Sequence, residues 1–279
     1  MTQTPPLPDL SIDTTLAEKI LTGFIHSEIT RTGMTPIVLG LSGGLDSALA
    51  CALAARALGP ENVLAIRMPY KASSADSLDH AQLMIDQTGV QHMTVPISGM
   101  ADALIEQFPQ MDGVRRGNIM ARCRMIVLFD QSAAFKGLVL GTGNKTEILL
   151  GYSTIYGDSA CALNPLGDLY KTQVRQLSRA MGLPEAIIAK PPSADLWAGQ
   201  TDEGELGFTY ERVDRLLYYL IDQRWSPQEC IDAGWDEAFV RRVMERVRRS
   251  HFKRVMPPIA KLSNRSVGLD YNYARDWGT

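Results

Sequence analysis

The residues whose types and spacing best suit chemistry form one short run, Ser42-Gly43-Gly44-Leu45-Asp46-Ser47, entered through Gly40-Leu41. Adjacent glycines permit a sharp turn and let successive backbone N–H groups converge on an anion. Ser42 and Ser47 add hydroxyl donors. Asp46 adds a carboxylate suited to holding Mg²⁺ at phosphate oxygens. The apolar run at 37–41 reads as a buried strand, and the alanine- and leucine-rich run at 48–58 reads as a helix. A helix start brings unpaired N–H groups and the positive end of a dipole to the same turn. The run is not a Walker A loop, because no lysine follows Gly44. A plain glycine turn between strand and helix is the simpler alternative. Two glycines, two serines and an aspartate in this order weigh against it.

Such a loop has to be carried by a sheet. Further strands are expected at 63–68, 92–97 and 138–141, and helices at 76–88, 100–108 and 117–135. Ser74 or Asp76 is the expected cap of the first of these helices. Strands alternating with helices indicate an α/β fold, a Rossmann-like parallel sheet with helices on both faces. Ligands in such sheets bind beyond the strand C-termini. The Ser42–Ser47 turn and the stretch 141–147 both leave strand C-termini, so they are expected to face one cleft. An earlier helix is marked by Leu16, Ile20, Phe24 and Ile25, after a loose arm at 1–13. From residue 171 the pattern turns helical, at 171–181, 209–222, 226–233 and 236–251. Residues 189–206 read as a loop, and 257–279 as an irregular tail.

Composition narrows the class. The 279 residues are 45% hydrophobic and 21% charged, with a net charge of −3, so nothing argues for an electrostatic grip on nucleic acid. The basic run from Arg241 to Arg254 reads as a solvated helix face. No apolar stretch approaches the roughly 20 residues that cross a bilayer. Four widely spaced cysteines, with no C-x-x-C pair, argue against zinc or a disulfide framework and fit a reducing cytoplasm. The four histidines make no ligand pattern, and Trp197 and Trp225 read as packing residues.

Further motifs follow in order. They are Arg116-Gly117-Asn118-Ile119-Met120-Ala121-Arg122-Cys123-Arg124-Met125, Gly141-Thr142-Gly143-Asn144-Lys145-Thr146-Glu147, and Tyr156-Gly157-Asp158. Lys171-Thr172, the run Lys190-Pro191-Pro192-Ser193-Ala194-Asp195-Leu196, Gln200 through Asp202-Glu203 to Tyr210, and Lys253-Arg254 come after them. The Ser-Gly-Gly-x-Asp-Ser loop resembles that of the ATP pyrophosphatases. With the other motifs, over residues 16–256, the chain resembles NAD synthetases of the adenine nucleotide alpha-hydrolase-like superfamily.

The resemblance implies ATP-dependent amidation of deamido-NAD (nicotinic acid adenine dinucleotide) to NAD. The pyridine carboxylate attacks the α-phosphate, pyrophosphate leaves, and ammonia displaces AMP from the adenylate. By position, it implies that Gly40, Leu41, Ser42, Gly43, Gly44, Leu45, Asp46 and Ser47 bind ATP, together with Thr142, Lys171 and Ser193. Asp46 and Glu147 would hold Mg²⁺, and Asp46, Glu147 and Lys171 form the catalytic set. Arg122, Asp158, Phe252 and Lys253 would contact deamido-NAD. A homodimer is implied, with the early helix a candidate interface element.

Two departures from the family pattern stand out. Ile155 and Ala162 replace a lysine and an aspartate of ammonia-dependent members, so this stretch looks more like the synthetase domain of glutamine-dependent ones. Phe252 stands where many members have histidine. The segment before the loop leaves no room for a glutaminase domain, so residues 1–279 are expected to be one synthetase domain using free ammonia. A separate glutaminase subunit, another adenylating enzyme of the superfamily, and a non-catalytic nucleotide sensor stay open as alternatives. The stretch 194–204 is expected to close over the intermediate.

Overall fold

Three short apolar runs become largely buried strands, and a fourth, the mostly exposed and polar 91–94, pairs at the sheet's edge. The computed structural model describes residues 7–193 and 200–267. Strands β1 (Ile37–Gly40), β2 (Val63–Arg67), β3 (Gln91–Thr94) and β4 (Leu138–Val139) lie in the order β3-β2-β1-β4. Every pairing is parallel. Parallel neighbours need crossovers, and these are helical: α1 (Thr14–Thr30) precedes the sheet, and α2 (Leu45–Leu58), α3 (Ala75–Thr88), α4 (Ser98–Ile105) and α5 (Gly113–Phe135) connect its strands.

Alternation along β1 divides the core. Ile37 and Leu39 face α1, α2 and α7 (Lys171–Ala180), packing with Ile25, Ile29, Leu49, Leu53, Val174 and Leu177. Val38 points the other way, into a cluster with Ile66, Ala101, Met120, Cys123 and Val127. Helix α2 is buried almost all round, which its alanines at 48, 50, 52 and 54 permit by keeping its diameter small. It stops at Gly59, whose φ of +83° few other residues adopt.

The remaining helices are α6 (Lys145–Leu150), α8 (Glu185–Ile188), α9 (Asp202–Leu206), α10 (Tyr210–Leu217), α11 (Pro227–Asp232) and α12 (Glu237–Arg249). A π-helical turn, Tyr218–Asp222, extends α10. A further core of Tyr210, Leu217, Phe239, Val240 and Val243 takes in Leu150 of α6 and Tyr170, fastening α10–α12 against the elements that leave the sheet.

Several expectations need correction. The strand expected at 92–97 ends at Thr94: Val95 and Ile97 N–H go on donating to the Arg67 and Pro69 carbonyls, at 2.9 and 3.0 Å, but Pro69 has no N–H to give in return. The strand expected at 138–141 ends at Val139, and Leu140 then pairs in parallel with Leu163. Residues 7–13 are not a loose arm. Leu10 is buried, its carbonyl accepts from Gln173 Nε2 and Gln176 Nε2, and Ile12 N–H donates to Gln176 Oε1. The loop expected at 189–206 closes with α9, which is too short for a period to show and is capped by the Thr201 hydroxyl. Helix α3 takes Ser74 as its cap. Residues 257–267 contain no helix and are mostly exposed. Residues 1–6, 268–279 and 194–199, with Trp197 and most of the stretch expected to close, lie outside the described residues.

Gly43 ties the loop to the fold. Its φ is +78°, and a β-carbon there would stand 2.1 Å from the Ser77 carbonyl oxygen of α3. Gly43→Ala is therefore expected to cost about 1–3 kcal/mol through strain and clash. A urea midpoint equal to that of the parent would show that α3 gives way instead.

Candidate active site

The turn after β1 is held by its own serines. Ser47 Oγ donates to the Gly44 carbonyl at 2.9 Å and accepts from Ser42 N–H at 3.3 Å. Ser42 Oγ lies 3.0 Å from Ser47 Oγ and accepts from Gly44 N–H at 3.2 Å. This fixes the backbone at the N-terminus of α2, where free N–H groups and the helix dipole favour an anion. The turn opens into a cavity of about 560 Å³ beyond the C-terminal ends of β1, β2 and β4.

At its inner end Lys171, at the start of α7, is only 3% exposed. Its ammonium donates to Asp46 Oδ2 and, at 3.0 Å, to Glu147 Oε1. The Tyr210 ring lies under it, 5.2 Å from Nζ to the centroid. Burial alone would lower the Lys171 pKa, but the two carboxylates overcome this and hold it charged. Burial pushes Glu147 up to about 7 against the pull of Lys171.

Each partner is aimed from elsewhere in the chain. Asn144 is fully buried and caps α6: its Oδ1 accepts from Glu147 N–H at 3.0 Å, and Glu147 Oε2 accepts in return from Asn144 N–H. Asn144 Nδ2 also donates to Asp46 Oδ1 at 2.8 Å. One amide thus sets both carboxylates. Behind them Asp214 of α10, also fully buried, accepts from Thr146 Oγ1 at 2.6 Å and Thr172 N–H at 2.9 Å. Thr146 Oγ1 in turn accepts from Lys171 N–H at 3.0 Å. Burial raises the Asp214 pKa, and the donated hydrogen bonds oppose this.

A sequence model of the NAD synthase family matches residues 17–257. The chain belongs to the NAD synthase family. A relative from Trichlorobacter lovleyi, an NH3-dependent NAD+ synthetase, is 58% identical over 269 residues, 96% of this chain and 98% of its own. Among solved structures, the NH3-dependent NAD synthetase of Campylobacter jejuni superposes with a TM-score of 0.77 at 34% identity, covering 90% of this chain and all of its own. The NMN synthetase of Francisella tularensis superposes with a TM-score of 0.79 at 30% identity, covering 90% and 99%. The parallel sheet and its helices are the fold of these NAD synthases, as expected from the sequence.

Within this NAD synthase, the residues expected from sequence fall unevenly around the cavity. Gly40, Leu41, Ser42, Gly44, Leu45, Asp46, Ser47, Thr142, Glu147, Asp158, Lys171, Ser193 and Lys253 line it. Gly43 turns its backbone against α3, away from the lining. Arg122 is exposed and outside the lining, 3.4 Å from the Ile155 carbonyl, whereas Arg124 lines the cavity with its Nε on the Met68 carbonyl. Phe252 is 57% exposed and also outside the lining. Lys253 Nζ donates to the carbonyls of Gly151 and Ser153 at 2.7 and 2.6 Å.

Sequence reasoning assigned no role to Asn144, Thr146, Asp214, Asp202 or Tyr210. The Asn-x-x-Glu spacing of a capping box was available for the first of these. Nothing local marks a buried aspartate.

Asp214→Ala should leave the Thr146 hydroxyl and the Thr172 N–H buried without their acceptor. The expected loss is about 3 kcal/mol, read from urea unfolding. A loss well under 1 kcal/mol would mean that Asp214 does not join α6 to α7 as described.

Proposed function

We propose that the chain is a ligase that amidates deamido-NAD to NAD with ammonia, consuming ATP and releasing AMP and pyrophosphate through an adenylated intermediate. The observation that carries this reading is the Lys171 ammonium held between Asp46 and Glu147, beside a glycine turn at a helix start. A carboxylate is a poor electrophile. Joining it to AMP supplies a leaving group, and the protein must then position the reactants and stabilise charge. In this reading the Ser42–Ser47 turn binds the β- and γ-phosphates through N–H groups and hydroxyls. Lys171 approaches the phosphates as a point charge, and Thr142 and Ser193 contact ATP from the far side of the cavity.

Among the described residues no cluster of three or more metal-ligating side chains occurs. Mg²⁺ needs none here, since it binds through one or two carboxylates with phosphate oxygens and water. Asp46 and Glu147, both on one cation in this structure, are a fitting pair. When bound, the ion neutralises phosphate charge.

Deamido-NAD is assigned the side of the cavity bounded by Asp158 and Lys253, with Arg122 and Phe252 at its outer margin. The reading takes residues 1–279 as one cytoplasmic synthetase domain working as a homodimer. Leu16 and Ile20 on the outer face of α1, 52% and 58% exposed, support such an interface. Among the described residues no helix is long and apolar enough to cross a membrane.

The test is NAD formation by the purified chain with ATP, Mg²⁺ and deamido-NAD, comparing ammonium with glutamine. Product with ammonium alone is expected. Product with glutamine too would point to a glutaminase activity, and product only from the mononucleotide would favour the reaction named for the Francisella neighbour. Asp46→Ala should lower turnover about 100- to 1,000-fold by removing one of the two carboxylates that flank Lys171. Near-parental turnover at saturating Mg²⁺ would remove Asp46 from the metal site.

A further inference from the structure

The arginines of α12 divide into two kinds. Arg241 pairs with Glu237, and Arg248 and Arg249 pair with Glu245, all through exposed side chains. Arg242 donates to the Gly207 carbonyl at 3.2 Å. Arg246 differs from these four: it is half-buried and lines the cavity. Of its guanidinium nitrogens only Nε is buried without a partner, while the other two bond no described residue and stay accessible. A charge drawn partly out of water with no acid on it is costly, which points to an anion that arrives from outside.

A second cation stands beside it. Lys253 Nζ donates to the carbonyls of Gly151 and Ser153, which uses two of its three protons. Burial lowers the Lys253 pKa; Asp158 opposes this, and the charge of Arg246 adds to it, so the two cations lie within each other's reach. The acids of the lining are engaged elsewhere. Asp46 and Glu147 flank Lys171, Asp202 accepts from Tyr210 OH, and Glu205 accepts from Tyr152 OH and Gln200 Nε2. Asp158 is the acid on this wall, and its carboxylate already accepts from Thr154 N–H at 2.7 Å. Two cations thus meet one carboxylate, and the surplus favours an anionic ligand.

The planar fork of a guanidinium matches a phosphate through two parallel hydrogen bonds. The pyridine carboxylate suits these cations less well, because a nucleophile clamped in the ground state is slower to attack. We propose that Arg246, with Lys253 beside it, binds the diphosphate bridge of deamido-NAD. This rests on the amidation reading, which assigns that wall of the cavity to the dinucleotide. Arg246 then anchors the substrate by its middle and leaves the pyridine carboxylate free to reach the α-phosphate of ATP.

The test is the binding of three ligands to Arg246→Gln, measured by titration calorimetry. The Kd for deamido-NAD is expected to rise about 10- to 100-fold, as for loss of a charged hydrogen-bond donor. NAD keeps the diphosphate and has an amide in place of the carboxylate, so its Kd should rise by a similar factor. The Kd for ATP should stay within about twofold of the parent. A loss confined to deamido-NAD would overturn the assignment in favour of the pyridine carboxylate. A parallel loss for ATP would overturn it in favour of the triphosphate, and unchanged dinucleotide affinity would overturn it outright. If the glutamine variant does not fold, Arg246→Lys carries the test: it keeps the charge but not the fork, and the Kd for both dinucleotides should rise about 3- to 10-fold. No rise in that variant overturns the proposal. Failure of the amidation reading would show separately, as a parent enzyme that forms no NAD.

Discussion

The ammonium of Lys171, buried between Asp46 and Glu147, is the contact on which the rest of the site depends. Two carboxylates brought this close inside a protein repel each other and lose hydration, and each needs a cation. Removing the lysine would leave two uncompensated charges. Removing either acid would leave the pair lopsided. The three residues come from α2, α6 and α7, so this one ion cluster fixes the angles between three helices. Asn144 and Asp214 extend the constraint outward, the first by bonding both to Asp46 and to the helix that carries Glu147, the second by joining that helix to the start of α7.

The scaffold meets this demand by separating tasks. The sheet and the helices on its two faces are held by apolar packing, which is indifferent to small shifts in direction. The polar cluster is directional, and it sits where sheet, α6 and α7 meet the second apolar core. Tyr210 belongs to both regions. Its ring packs in that core and lies beneath Lys171, while its hydroxyl holds Asp202.

Much of this was legible in the sequence. The apolar run at 37–41, two glycines and an alanine-rich helix sufficed to place the phosphate turn, because strand, turn and helix each have a local signature. The union of Asp46, Glu147 and Lys171 was not local. It came from resemblance, since residues 125 apart carry no spacing rule. The short helices α6, α8 and α9 escaped notice because one or two turns show no period. Asn144, Asp202 and Asp214 look like surface residues until burial is known. Lys253, read as a substrate contact, lines the cavity, and the burial of its ammonium on two backbone carbonyls had no local signal. Arg122 and Arg124 are two residues apart on one helix, so only the helix's orientation could tell which of them meets the cavity.

The short 3₁₀ turn His251–Arg254 places its charges on backbone carbonyls. Arg254 donates to the carbonyls of Ile148 and Leu149 and Lys253 to that of Gly151, completing the C-terminal end of the helix that bears Glu147. Arg254 lies 106 positions after Ile148, so it leaves the ribosome long after the helix it completes. The last carbonyls of the Glu147 helix therefore have no such donors until residue 254 has been added to the chain.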